Sequence, residues 1–112
     1  MAMFITERDE NGVALFTLSG RIDGHTASNL DAVLDAAVSN GENRMVLDMG
    51  DVQYIGSTGL RTLVKALARL RERGGDLKLV ALSGNLLRAL RIVGFDSFFS
   101  LHDTLEGALG CF

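Results

Sequence analysis

The segment Ile55-Gly56-Ser57-Thr58-Gly59-Leu60 places two hydroxyls between two glycines, just before an apolar periodic run. Serine and threonine at such a junction have an ordinary structural use. Their hydroxyl accepts a hydrogen bond from an orphan amide of a helix's first turn. On that reading Ser57 or Thr58 caps the helix, and an alanine at position 57 forfeits about 1 kcal/mol. The same geometry allows a second reading. Free amides and the positive end of the helix dipole favour an anion, so a phosphate on Ser57 would sit in a compatible field. Such a group adds about −1.5 to −2 charges at pH 7 to the surface that displays it. Gly56 and Gly59 let a partner's backbone come close.

Several other chemistries are excluded. No lysine follows Gly59 and the glycine spacing is wrong, so the segment is not a Walker A phosphate loop. The order Gly56-Ser57-Thr58-Gly59 is not a G-x-S-x-G nucleophile elbow. His25 and His102 fall in turn regions with no evident link to Ser57 and no cysteine or paired carboxylates at ligand spacing. Neither a serine hydrolase nor a metal site is expected from them. No catalytic residue and no cofactor-binding residue is assigned. Asp23 reads, on its own, as a turn residue before the first helix. Asp48, inside an apolar strand, reads as a satisfied structural carboxylate. Arg61, Lys65, Arg69 and Arg73 recur every four residues. They form either a basic docking stripe or, as preferred, a solvated helix face. Cys111 reads as a small residue near the chain end.

Positioning these groups requires a framework, which the hydrophobic periodicity supplies. Met3–Thr6 and Val13–Leu18 are predicted to form a hairpin around Asn11-Gly12, with Gly20 ending it. Thr26 is the expected N-cap of a first helix whose inner face is Leu30, Val33, Leu34, Ala37 and Val38, and Asn40-Gly41 stop it. Met45–Met49 suits a strand buried on both faces, and Gly50–Gly56 is expected to link it to a second helix. That helix buries Leu60, Leu63, Val64, Leu67 and Leu70 and ends at Gly74-Gly75. Leu77–Leu82 is the next strand. Ser83 or Asn85 starts a third helix with Leu86, Leu90 and Val93 inward and Gly94-Phe95 at its end. Phe98–Leu101 is a short strand, and Asp103 with Glu106 is expected to cap a last helix, Thr104–Leu109. The order β-β-α-β-α-β-α-β-α implies an α/β fold. One domain over residues 1–112 would hold a mixed, mostly parallel sheet of about five strands with helices packed against it.

Composition narrows the partners. At 112 residues and 47% hydrophobic, the chain can fill one core without disulfides or metal. Its net charge of −3 argues against a general nucleic-acid binder and gives an anionic membrane surface little to hold. A single cysteine fits a reducing compartment. Met1 to Arg8 lack the pattern of a secretory leader, and no apolar run reaches the roughly 18 to 20 residues that cross a bilayer. A cytoplasmic location without direct membrane insertion is expected.

The ordered set of motifs resembles the STAS-domain anti-sigma-factor antagonists, from about Phe4 to Leu109. Ser57-Thr58-Gly59-Leu60 is similar to the family's phosphorylatable Asp-Ser-(Ser/Thr/Ala)-Gly-Leu loop, with Gly56 standing where the family usually has aspartate. Gly20-Arg21-Ile22-Asp23 is similar to its Gly-x-(Leu/Ile)-Asp segment. Val46-Leu47-Asp48 with Val52 and Ile55, Arg73-Gly74-Gly75-Asp76-Leu77, and Gly94-Phe95-Asp96 through Leu109 match in order. The resemblance implies a non-enzymatic, partner-switching binding module. Ser57 would be the phosphoacceptor, and Asp23, Gly56, Thr58, Gly59 and Arg61 would meet the partner. That partner would be an anti-sigma factor acting as a serine kinase with ATP and Mg²⁺, and phosphorylation would end the association. The missing carboxylate at Gly56 keeps an alternative in view: a free-standing STAS subunit that docks to a membrane transport system. A small-ligand or nucleotide-binding regulator is a third reading.

Overall fold

Asn11 and Gly12, both at positive φ, turn the chain between its first two strands. In the computed structural model, which describes residues 3–112, β1 (Met3–Glu10) pairs antiparallel with β2 (Val13–Ile22) across this turn. The backbone twist of such a two-residue turn matches that of paired strands. There follow α1 (Ala27–Ser39), β3 (Arg44–Ile55), α2 (Ser57–Glu72), β4 (Asp76–Val80), α3 (Gly84–Ile92), β5 (Ser100–His102) and α4 (Leu105–Leu109). The sheet runs β1-β2-β3-β4-β5, with β2 to β5 mutually parallel.

Strand order equals chain order, so every crossover steps in the same direction. Right-handed crossovers then place α1, α2 and α3 on one face. The packing agrees. Ala14, Phe16, Leu18, Met45, Leu47, Met49, Leu77 and Leu79 pack with Leu30, Leu34, Leu63, Leu67, Leu86 and Leu90 in one buried cluster. The alternate strand residues Val13, Leu15, Val46 and Val80 form a second cluster with Ala108, which α4 brings to the opposite face. The expected α/β class and mixed sheet are as observed.

Several element ends differ from expectation, each for a local reason. The hairpin strands are longer than expected. Gly20 does not end β2; it sits at φ +95° beside shifts in the β2–β3 register, and the strand resumes to Ile22. That extension gives residues 51 to 55 a partner, so most of the expected Gly50–Gly56 link belongs to β3. Ala81, at φ +62°, closes β4 before Leu82. Val93 follows α3 and is half exposed rather than inward. β5 starts at Ser100, leaving Phe98 and Phe99 outside it. Thr104, not Asp103, caps α4, its Oγ1 accepting from the Gly107 amide at 3.1 Å.

Candidate functional site

The expected site residues gather where β2 and β3 end. Ile22 and Ile55 are register partners, so the turn after β2 and the start of α2 leave the sheet side by side. The Gly56 amide donates to the Ile22 carbonyl oxygen at 2.8 Å and ties the two exits together. Gly59 packs the first turn of α2 onto them. A Cβ there would stand 2.6 Å from Ile22 Cγ2 and 2.9 Å from Ile55 Cγ1. The close approach favours glycine there, since both isoleucine side chains must shift to admit a side chain.

Gly56, extended, is the N-cap of α2, and no side chain caps it. Ser57 is therefore the first helical residue rather than a cap, and Thr58 the second; both are exposed. The first intrahelical bond runs from the Leu60 amide to the Gly56 carbonyl oxygen at 3.0 Å. The amides of Ser57, Thr58 and Gly59 precede it and have no partner within the helix. The Ser57 hydroxyl has no hydrogen-bond partner among the described residues. What the arrangement offers is an accessible hydroxyl, free of structural duty, at the positive end of a helix of 16 residues.

Asp23 lies close by, with its carboxylate engaged in its own turn. Oδ1 accepts from the amides of Thr26 at 3.1 Å and His25 at 3.0 Å. The Thr26 amide, helped by that of His25 and opposed by partial burial, draws this carboxyl below the ordinary aspartate range. Thr26 stands at the N-cap of α1 as expected, but its hydroxyl makes no cap bond. Its hydroxyl donates to the Arg21 carbonyl oxygen at 2.6 Å and accepts from the Asp23 amide at 2.9 Å. Asp23 thus braces the lead into α1.

Tyr54 is a site residue that the sequence reading did not single out. The Arg21 guanidinium lies 4.3 Å from its ring centre, and its hydroxyl would be 3.1 Å from a Cβ at position 56. An aromatic–cation pair thus flanks Gly56. Register between Arg21 and Tyr54 would have revealed it, and register was not legible. Two clefts flank the start of α2. One of about 250 Å³ lies toward α1, lined by Gly24, Ala27, Thr58 and Arg61 among others. The other, about 220 Å³, lies toward α3 and is lined by Ser57, Leu60, Arg61, Val64, Val93 and Phe95. Ile92, Val93 and Phe98 add exposed apolar surface following α3 and at its end.

The basic stripe on α2 is neither free nor simply solvated. Lys65 pairs with Asp31 at 3.1 Å, Arg69 pairs with Asp35, and Arg73 donates to the Val38 carbonyl oxygen, so the stripe clasps α1. Of the four, only Arg61 has neither an ion pair nor a hydrogen bond from its side chain among the described residues. Asp48 accepts from the Gly50 amide at 3.0 Å, as a structural carboxylate would. His102 shares a hydrogen bond with Ser100 Oγ at 2.8 Å, and His25 is exposed. Among the described residues no cluster of three potential metal ligands occurs, and no helix is long and apolar enough to cross a membrane.

The STAS domain model matches residues 5–108. This chain belongs to the STAS-domain family. Among curated relatives it is 34% identical over 110 residues to BtrV of Bordetella bronchiseptica, provisionally named an anti-sigma factor antagonist, covering 98% of this chain and 95% of that one. It is 32% identical over 107 residues to the anti-sigma-F factor antagonist RsfB of Mycobacterium tuberculosis, covering 94% and 85%. The crystal structure of an anti-sigma factor antagonist from Mycobacterium paratuberculosis superposes with a TM-score of 0.90 at 29% identity, over 98% and 93% of the chains. The STAS fold is thus shared along nearly the whole length.

Proposed function

We propose that this STAS protein is an anti-sigma factor antagonist, a binding module and not an enzyme, whose association with an anti-sigma factor is ended by phosphorylation of Ser57. The carrying observation is the Ser57 hydroxyl: exposed, at the first position of α2, and unused by any cap. The partner is an anti-sigma factor with serine kinase activity, met in the cytoplasm. Ser57 Oγ attacks the γ-phosphorus of its ATP, the bond to the bridging oxygen breaks, ADP leaves, and a base on the kinase takes the hydroxyl proton. The contact surface comprises Thr58 and Arg61 around Ser57. Gly56 and Gly59 set its contour and Asp23 holds the adjoining turn.

The off-switch follows from electrostatics. A dianion brought into a closely packed, desolvated interface costs several kcal/mol unless a partner cation meets it. The names of the relatives and the neutral loop around Ser57 support this reading. The test is incubation with the cognate kinase and Mg-ATP, followed by intact-mass and peptide mapping. One phosphate on Ser57, absent from Ser57→Ala, is expected. Ser57→Asp should weaken partner binding at least tenfold, and Ser57→Ala should preserve it. No phosphate from a kinase proven active on another substrate would overturn the proposal. Binding to a transporter component that ignores phosphorylation would favour the transport-subunit alternative.

A further inference from the structure

The contacts between α1 and α2 form a ladder with a nearly constant offset. Asp31 meets Lys65, Asp35 meets Arg69, and Val38 meets Arg73, at separations of 34, 34 and 35 residues. One turn earlier the same series sets Arg61 opposite Ala27, the buried and uncharged first residue of α1. The first turn of α1 contains no acidic residue. Arg61 is exposed and makes no ion pair among the described residues, and the cleft of about 250 Å³ opens at this end of the ladder. The rung has a cation and lacks an anion.

Four residues before Arg61 on the same helix stands Ser57, and both line the second cleft. Side chains at i and i+4 are neighbours, and an acid placed N-terminal to the base is the favoured order. We propose that Arg61 is the intramolecular counter-ion of the Ser57 phosphate, which supplies from within α2 the anion that α1 does not. The guanidinium can bind two phosphate oxygens at once through charge-assisted hydrogen bonds. This rests on the reading of Ser57 as the phosphoacceptor. It deepens that reading, since modification then adds a dianion and also withdraws an exposed cation from the partner's reach. Of the other charged groups on the surrounding elements, Asp31 and Lys65 are paired, Arg21 stacks on Tyr54 and Asp23 holds turn amides, while His25, Arg88 and Arg91 are exposed and Asp96, next to Phe95 of the cleft wall, is half-buried.

The test uses full-length protein with phosphoserine installed at position 57 by codon suppression, so no kinase is involved. Phosphorus NMR follows the second ionisation of the phosphate, ordinarily near pH 6. Its midpoint should lie about 0.3 pH unit or more lower in the native background than in Arg61→Gln. Arg61→Lys should fall part-way, Lys65→Gln should leave the midpoint in place, and the native shift should shrink at high salt. Coincident curves for native and Arg61→Gln, or an equal displacement by Lys65→Gln, would overturn the assignment. A kinase that ignores Ser57 sinks the functional reading and leaves this titration readable. A kinase-made phosphate whose ionisation ignores Arg61 sinks the counter-ion alone.

Discussion

A serine at the first helical position and a serine one step earlier have different structural duties. Ser83 is an N-cap whose Oγ accepts from the Leu86 amide at 3.2 Å, and Thr104 caps α4 in the same way. Ser57 caps nothing. Replacing Ser83 or Thr104 with alanine should therefore cost about 1 kcal/mol in urea denaturation, while Ser57→Ala should stay within about 0.5 kcal/mol of the native chain. A cap-sized loss at position 57 would show that its hydroxyl carries structural duty. Asp23 invites a pH experiment. Its folded pKa is lowered, first by the Thr26 amide, so the carboxylate's contribution is complete above the unfolded value and fades as pH falls through the folded one. The stability gap between native and Asp23→Asn chains should be widest above the unfolded value, about pH 4, and narrow as the pH falls below it. A gap that grows on acidification would contradict the assignment. Ser57 was legible as a helix-start hydroxyl from its glycines and the apolar run that follows. The role of the Thr26 hydroxyl was misread because the carbonyl that takes it belongs to Arg21, and β2 was not expected to extend that far.

At the scale of elements, two glycines hold neighbouring pieces in contact, with different margins. A Cβ at Gly75 would stand 1.9 Å from the Asn43 carbonyl oxygen, a backbone atom at the entry to β3. At Gly59 the obstacles are the branched side chains of Ile22 and Ile55, which can give by small shifts. Gly59→Ala should cost about 1–3 kcal/mol through overpacking, offset by about 1 kcal/mol of helix propensity. Gly75→Ala should cost more, because the β3 entry must move and the Asp76 amide would lose its 3.1 Å bond to Asn43. Denaturation midpoints in the reverse order would refute this ranking. The four-residue period of the basic stripe was legible, and so was the identity of each helix. The aspartates that receive the stripe were not, because the offset between α1 and α2 is set by their crossing over the sheet. Nothing local to either helix encodes it.

Across the whole molecule, the position of Ser57 follows from strand direction. Parallel strands send their C-terminal ends to one edge, and crevices beyond those ends are where open α/β sheets offer surface for recognition. β2 and β3 end together at Ile22 and Ile55, which is why the turn at Asp23 and the start of α2 at Ser57 leave the same end of the sheet although 34 residues separate them in sequence. Given the strand order, handedness accounts for α1 to α3 on one face. It does not govern α4, which follows the last strand and closes no crossover, so its face could not be read from the sequence. The observed answer is the opposite face, where Ala108, with Leu105, Leu109 and Phe112 beside it, covers Val13, Leu15, Val46 and Val80. Each of those four strand residues is at most 3% exposed. Exposing such a side chain fully costs about 1.5–3 kcal/mol as an upper bound. A domain of this size is held by only about 5–15 kcal/mol. Lys78, 5% exposed and 4.7 Å from the Phe112 ring centre, would also lose its cover. Deleting residues 104–112 should therefore remove several kcal/mol and leave the chain near its unfolding limit, seen as a much lower urea midpoint or no cooperative transition. A truncated chain within about 1 kcal/mol of the native one would mean that this cluster contributes little. Arg61→Gln, which alters an exposed side chain without an ion pair among the described residues, should leave the same midpoint within about 0.5 kcal/mol.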